Sequence, residues 1–214
     1  MQEFPTKLPR VIGLTGGIGA GKSTVARVLE AMGLPVWNAD EAGRKAYASS
    51  SELRQWVGEH LGSSLLVFDA SGNSVDVDRK ALGDLAFQHP EILEELSARI
   101  HPLVAMAFED WLTAQARRIT PPLWVIREAA ILFESGTDVG CHVTVTVEAP
   151  IQERIQRVML RDGISESSVR SRMARQWSAE ERMERASFVL HNGSQAPILP
   201  QIDQLLMDLN VDEL

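Results

Sequence analysis

The chain has 214 residues, 44% of them hydrophobic and 23% charged, values ordinary for a globular protein that exclude a disordered, collagen-like or disulfide-stapled chain. A formal charge of -8 leaves no global basic field for holding nucleic acid or an anionic membrane, and a single cysteine, Cys141, excludes an intrachain disulfide. The start MQEFPTKLPR lacks the layout of a signal peptide and no run approaches the roughly 18 apolar residues of a membrane span, so a cytoplasmic protein is expected, a monomer or small homo-oligomer without nucleic-acid or membrane partners.

Arg10 to Thr15 (RVIGLT) is a short apolar, β-branched run and predicts a strand that ends in the glycines of GGIGAGKST. Val25, Val28, Leu29 and Met32 fall at i, i+3, i+4 and i+7, which predicts a helix from near Lys22 that Gly33 and Pro35 stop. Leu34 to Trp37 predicts a second strand, so the opening reads as β-α-β, the unit of a parallel sheet. From Glu41 to Arg118 the pattern predicts a mostly helical insertion, in which Asp69 to Asn73 is an ordinary Asp/Gly turn and Pro102 marks a local backbone break. Strands return at Leu123 to Ile126, at Val143 to Val147 and, more weakly, at Phe188 to Leu190, and Ile198 to Leu209 predicts a closing helix.

Gly16, Gly21, Lys22 and Ser23 match G-x-x-x-x-G-K-[ST] at every fixed position, with a strand before and a helix after, as a phosphate-binding loop requires. Glycines let successive amides turn inward around a phosphate, and the helix beginning near Lys22 adds its positive end. Gly17, Gly19, Ala20, Gly21, Lys22, Ser23 and Thr24 are therefore the expected ATP-binding set, with Lys22 neutralising the β- and γ-phosphates and the Ser23 hydroxyl offered to Mg²⁺. A glycine-rich turn that matches by chance is the alternative. The fold this predicts is α/β: a three-layer α/β/α P-loop nucleoside triphosphate hydrolase fold around a five-stranded parallel sheet. Its core is expected at 8–40, 119–150 and 178–214, the insertion at 41–118 and a helical lid at 151–177. No Asn-Lys-x-Asp for reading guanine and no Leu-Ser-Gly-Gly occur, which leaves a small-molecule kinase rather than a GTPase or a transporter ATPase.

Arg154, Arg157 and Arg161 lie at i, i+3 and i+7 on one helix face, while Ile151, Ile155 and Val158 occupy another, so the apolar stripe is expected to pack and the arginines to stay free. Between Arg154 and Arg185 eight arginines stand against five acidic residues, a local excess suited to closing on phosphates. A solvated face with ion pairs is the ordinary alternative, and it is the reading for Arg182 and Arg185. Asp40 sits where the second strand ends, at the carboxyl edge of the sheet, as a candidate general base for catalysis or else as a helix N-cap.

The segments GLTGGIGAGKSTVARVLEAMGLPVWNAD with Arg44 beyond it, VDRKALGDLAF, IHPLV, EAAILFESG, RVMLRDGIS and RMARQ together give the chain a resemblance, over roughly Val11 to Gly193, to the bacterial dephospho-CoA kinases. The resemblance implies ATP and dephospho-CoA as substrates, phosphorylation of a ribose 3'-hydroxyl, and catalysis by Asp40, Lys22, Arg157 and Arg161. It also implies dephospho-CoA contacts from Asp40, Arg44, Arg79 and His101, a metal-water contact from Glu128, with Glu134 able to serve similarly, and a loop under the adenine at Asn192. Arg44 as a surface residue, His101 as a structural imidazole, Glu128 or Glu134 as an ion-pair partner, and Asn192-Gly193 as a simple turn remain the alternatives. Asn38 stands where the family has the first aspartate of Asp-Ala-Asp, leaving Asp40 to act alone, and Ala130 stands where it usually has proline.

Overall fold

The structure, a computed structural model, describes residues 7–210. In chain order its elements are β1 (Arg10–Gly16), α1 (Lys22–Ala31), β2 (Val36–Asn38), α2 (Ala39–Ser49), α3 (Ser51–His60), β3 (Leu66–Phe68), β4 (Ser74–Val77), α4 (Arg79–Gln88) and α5 (Pro90–Ala116). They continue with β5 (Trp124–Glu128), β6 (Val143–Glu148), α6 (Ile151–Asp162), α7 (Glu166–Met173), α8 (Ala179–Arg185), β7 (Phe188–His191) and α9 (Ile198–Asp208). The chain divides into one compact unit up to Asn38 and from Leu112 onward, and a second of Ala39–Trp111. No helix among the described residues is long and apolar enough to cross a membrane.

The first unit is built on a five-stranded parallel sheet in the order β2-β5-β1-β6-β7. The three inner strands are buried along almost their whole length because both faces are covered, whereas the edge strands β2 and β7 are buried only in part. Ile12, Leu14, Ile126, Val145 and Val147 pack with Val25 and Leu29 of α1 and Ile202 and Leu205 of α9 in one core. Met32, expected on the packed stripe of α1, lies beyond the last turn and is exposed.

A Cβ on Gly13 in β1 would meet Cys141 Sγ at 2.7 Å, so the cysteine fills space that only a glycine leaves open. Burial pushes the Cys141 thiol up to about 11, with Arg127 opposing and Asp138 adding to the shift. The thiol is therefore protonated at neutral pH and becomes nucleophilic only as pH rises toward that value. Alkylation by iodoacetamide is expected to be slow at pH 8 in the native protein and to reach the rate of an ordinary cysteine on unfolding. Fast native labelling at pH 8 would contradict the burial.

In the second unit Val57, Leu65, Val77, Leu82, Ala86 and Leu96 form a separate core. The insertion is helical except for β3 and β4, an antiparallel hairpin with an irregularity between Val67 and Phe68 that the helical expectation did not include. Its strands are too short to impose an alternating pattern on the sequence around them. The turn between them is as expected: Asp69 Oδ1 accepts hydrogen bonds from Ser71 N and Asn73 N, each at 2.9 Å. Pro102 does not break the chain. It lies inside α5, a helix of 27 residues that absorbs the missing N–H.

Candidate active site

The carboxyl edge of the sheet brings the phosphate loop, the end of β5 and the end of β2 side by side, since β5 pairs with both β1 and β2. The loop turns tightly, with Ala20 N donating to Gly17 O at 2.9 Å, and it enters α1 through Gly21 without a side-chain cap. No side chain caps the start of α1, where Thr24 N turns back to Gly21 O at 2.9 Å, and a helix N-terminus of this kind is the arrangement that binds phosphate. Gly21 has φ +95°, a left-handed conformation, and a Cβ there would lie 2.0 Å from Asn192 Nδ2. That Nδ2 donates to Ala20 O at 2.8 Å, tying the turn after β7 to the loop. Gly21→Ala is accordingly expected to cost about 1–3 kcal/mol of stability and to weaken ATP binding together, read by thermal unfolding and calorimetry. A variant unchanged in both would show that the loop does not need this backbone.

Lys22 Nζ sits 3.1 Å from Glu128 Oε1, with the two side chains 11% and 5% exposed. Glu128 Oε2 accepts from Asn38 Nδ2 at 2.7 Å, a pairing that the register of Asn38 opposite Glu128 makes possible. An amide here gives the buried carboxylate a donor, where a second carboxylate would repel it. Ser23 and Thr24 are exposed on the first turn of α1. Asp40 stands two residues beyond β2 in the first turn of α2; the helix starts at Ala39, so Asp40 is not its N-cap.

The expectation that the arginines of α6 stay free is corrected residue by residue. Arg157 Nη2 donates to Asn192 O and to Glu153 Oε2, each at 2.9 Å, and Nη1 reaches Gly19 O at 3.4 Å. Arg154 is buried, while Ile151, expected to pack, is exposed. Arg161 is exposed and bound to Asp162 at 2.7 Å, and this pair raises the arginine and holds the carboxyl below the usual range. Arg182 is not on a solvated face: it is 1% exposed and grips Glu148 with Nε at 2.7 Å and Nη2 at 2.8 Å. Arg185 does lie at the surface, paired with Asp138.

Residues matching the sequence profile of the dephospho-CoA kinases span 10–197. The chain is 37% identical over 185 residues to a dephospho-CoA kinase of Parasynechococcus marenigrum, covering 86% of this chain and 88% of the relative. The chain belongs to the dephospho-CoA kinase family. A Thermus thermophilus dephospho-CoA kinase is 38% identical over 187 residues, covering 87% of this chain and 84% of that protein. A solved Thermus thermophilus protein aligns with TM-score 0.77 at 36% identity, over 95% of this chain and 99% of that one. The dephospho-CoA kinase of Campylobacter jejuni shares the fold, with TM-score 0.65 at 20% identity over 95% and 98% of the two chains.

For a dephospho-CoA kinase family member, the remaining candidate residues lie in the second unit. Arg44 is exposed on α2 and His101 is exposed on α5. Arg79 begins α4 and pairs with Asp76, beside the Asp78 side chain that caps the helix. Two further features had escaped the sequence reading. Gln176, just after α7, accepts from Ile18 N of the phosphate loop at 2.7 Å and donates to Ala130 O at 2.9 Å. Glu134 accepts from Trp177 N at 2.9 Å. Polarity alone gave no sign of either contact, because each joins segments far apart in sequence.

Proposed function

We propose that the chain transfers the γ-phosphoryl group of ATP to the 3'-hydroxyl of the ribose of dephospho-CoA, giving CoA and ADP, the last step of coenzyme A synthesis in the cytoplasm. The observation that carries this reading is the phosphate loop, wrapped before an uncapped helix with Lys22 poised on Glu128, in a chain whose residues 10–197 match the family. Phosphoryl transfer asks little covalent chemistry of a protein, so positioning and charge do most of the catalysis.

Lys22 neutralises the β- and γ-phosphates, and the loop amides hold them. The donors at this edge are hard oxygens, the exposed Ser23 hydroxyl and the Glu128 carboxylate, which suits Mg²⁺ held partly by phosphate oxygens and water. Held there by Ser23 and, through water, by Glu128, the ion would supply further charge neutralisation on the transferring group. Asp40 accepts the proton of the ribose hydroxyl as its oxygen forms the new bond to phosphorus and the bond to the ADP oxygen breaks. Arg157 and Arg161, on the lid of 151–177, stabilise charge on the phosphoryl oxygens and help exclude water, the competing nucleophile. Arg44, Arg79 and His101 in the insertion of 41–118 bind dephospho-CoA, and Asn192 lies under the adenine.

ADP release from ATP-Mg²⁺ by the purified protein tests the acceptor. Dephospho-CoA is expected to stimulate strongly, and AMP, shikimate or no acceptor to give only a slow background. Stimulation by AMP or shikimate in place of dephospho-CoA would assign the insertion to a different acceptor.

A further inference from the structure

Against the phosphate loop lie two buried arginines with one carboxylate near them, and only one of the arginines is hydrogen-bonded to it. Arg154 of α6, Arg182 of α8 and Glu148 at the end of β6 are 7%, 1% and 4% exposed. Both oxygens of Glu148 are taken by Arg182, and Oε1 also accepts from Thr146 Oγ1 at 2.7 Å. Arg154 has instead a backbone partner in the loop: its Nε donates to Ile18 O at 3.0 Å. Its two Nη groups have no hydrogen-bond partner among the described residues, and neither is sealed from solvent.

Both guanidinium groups converge on the loop itself. A Cβ on Gly17 would lie 2.1 Å from Arg154 Nη2 and 2.7 Å from Arg182 Nη2, and one on Gly19 would lie 2.5 Å from Arg154 O. Burial, and then the like charge of Arg182, weaken the hold of Arg154 on its proton, while Glu148 strengthens it. One carboxylate against two buried cations leaves an excess positive charge, which is costly unless an anion compensates it. The anion that Gly16 to Ser23 are shaped to receive is a phosphate chain.

Resting on the reading of the loop as an ATP site, we propose that Arg154 is a phosphate-positioning residue. Its guanidinium braces Gly17 to Gly19 from α6 and adds a fixed positive charge, besides that of Lys22, which the triphosphate of the bound nucleotide neutralises. The empty loop carries this charge as a cost, and nucleotide binding removes the cost.

The test compares wild type, Arg154→Gln and Arg154→Lys by calorimetric titration with ATP-Mg²⁺ and by thermal unfolding with and without ATP. Glutamine keeps a donor for Ile18 O but carries no charge; lysine keeps the charge but not the fork. Arg154→Gln is expected to bind ATP about tenfold or more weakly. Its unfolding midpoint without nucleotide should equal or exceed that of wild type, because a like-charged neighbour of Arg182 is gone, so the rise in midpoint caused by ATP should shrink. Arg154→Lys is expected to fall between the two in affinity. Unchanged ATP affinity in Arg154→Gln would overturn the proposal. So would a loss of stability without nucleotide combined with equal affinity loss in both variants, which is what a brace without an electrostatic role would give. Should wild type itself bind no ATP, the reading of the site fails first and the proposal falls with it.

Discussion

Replacing Lys22 with alanine is expected to lower kcat by about 10²–10³-fold or more, because a fixed cation at the transferring phosphoryl group acts where charge develops in the transition state. The structure adds a complication that the test must separate. Lys22 is the cation beside Glu128, whose side chain is 5% exposed, so the truncation also leaves a buried carboxylate short of a partner. Removing one member of such a pair costs about 3–5 kcal/mol in buried settings. The double variant Lys22→Ala with Glu128→Gln removes the orphaned charge and should recover much of the stability. It should recover none of the turnover. Near-normal kcat in Lys22→Ala, with saturating substrates, would refute the assignment of the loop.

Asp40→Asn is expected to reduce kcat by about 10²–10⁴-fold while leaving the ATP dissociation constant nearly unchanged. The amide is the same size but carries no charge and no basic oxygen to take the hydroxyl proton. Asp40 lies in the first turn of α2, where a negative charge also favours the helix dipole, so a stability loss of up to about 1 kcal/mol accompanies the change. That loss is far too small to account for the expected fall in turnover. A variant that loses ATP binding and keeps kcat would make Asp40 a structural residue of the helix start.

Much of the fold is legible in the sequence where local pattern and topology agree. RVIGLT before the glycines and VARVLEAM after them have one consistent reading, and the β-branched VTVTV and apolar LWVI read as strands that the parallel sheet buries. The hairpin of β3 and β4 is not legible because three- and four-residue strands carry little periodicity against the helical spacing on either side. Pro102 illustrates the limit of local rules, since the packing of a long helix outweighs one missing hydrogen bond.

The site divides in the same way. The loop residues are legible because the motif is contiguous and its backbone does the binding. The arginines are not, because a guanidinium on a solvated face and one gripping a buried carboxylate have the same letter and the same spacing. Only Glu148, a carboxylate closing the apolar run of β6, hints that a cation must lie over it, and it does not say whether Arg154 or Arg182 supplies that cation. The pairing of Asn38 with Glu128 follows from strand order, which places β2 beside β5 and cannot be read from either strand alone.

Transfer of label from γ-³²P-ATP to dephospho-CoA, with the product identified by mass and its phosphorylated position by NMR, tests the proposed reaction most directly. Label is predicted on the ribose 3'-oxygen of CoA, formed in equal amount to ADP and dependent on Mg²⁺. Label released as inorganic phosphate with dephospho-CoA recovered unchanged, or found on another position or another acceptor, would contradict it.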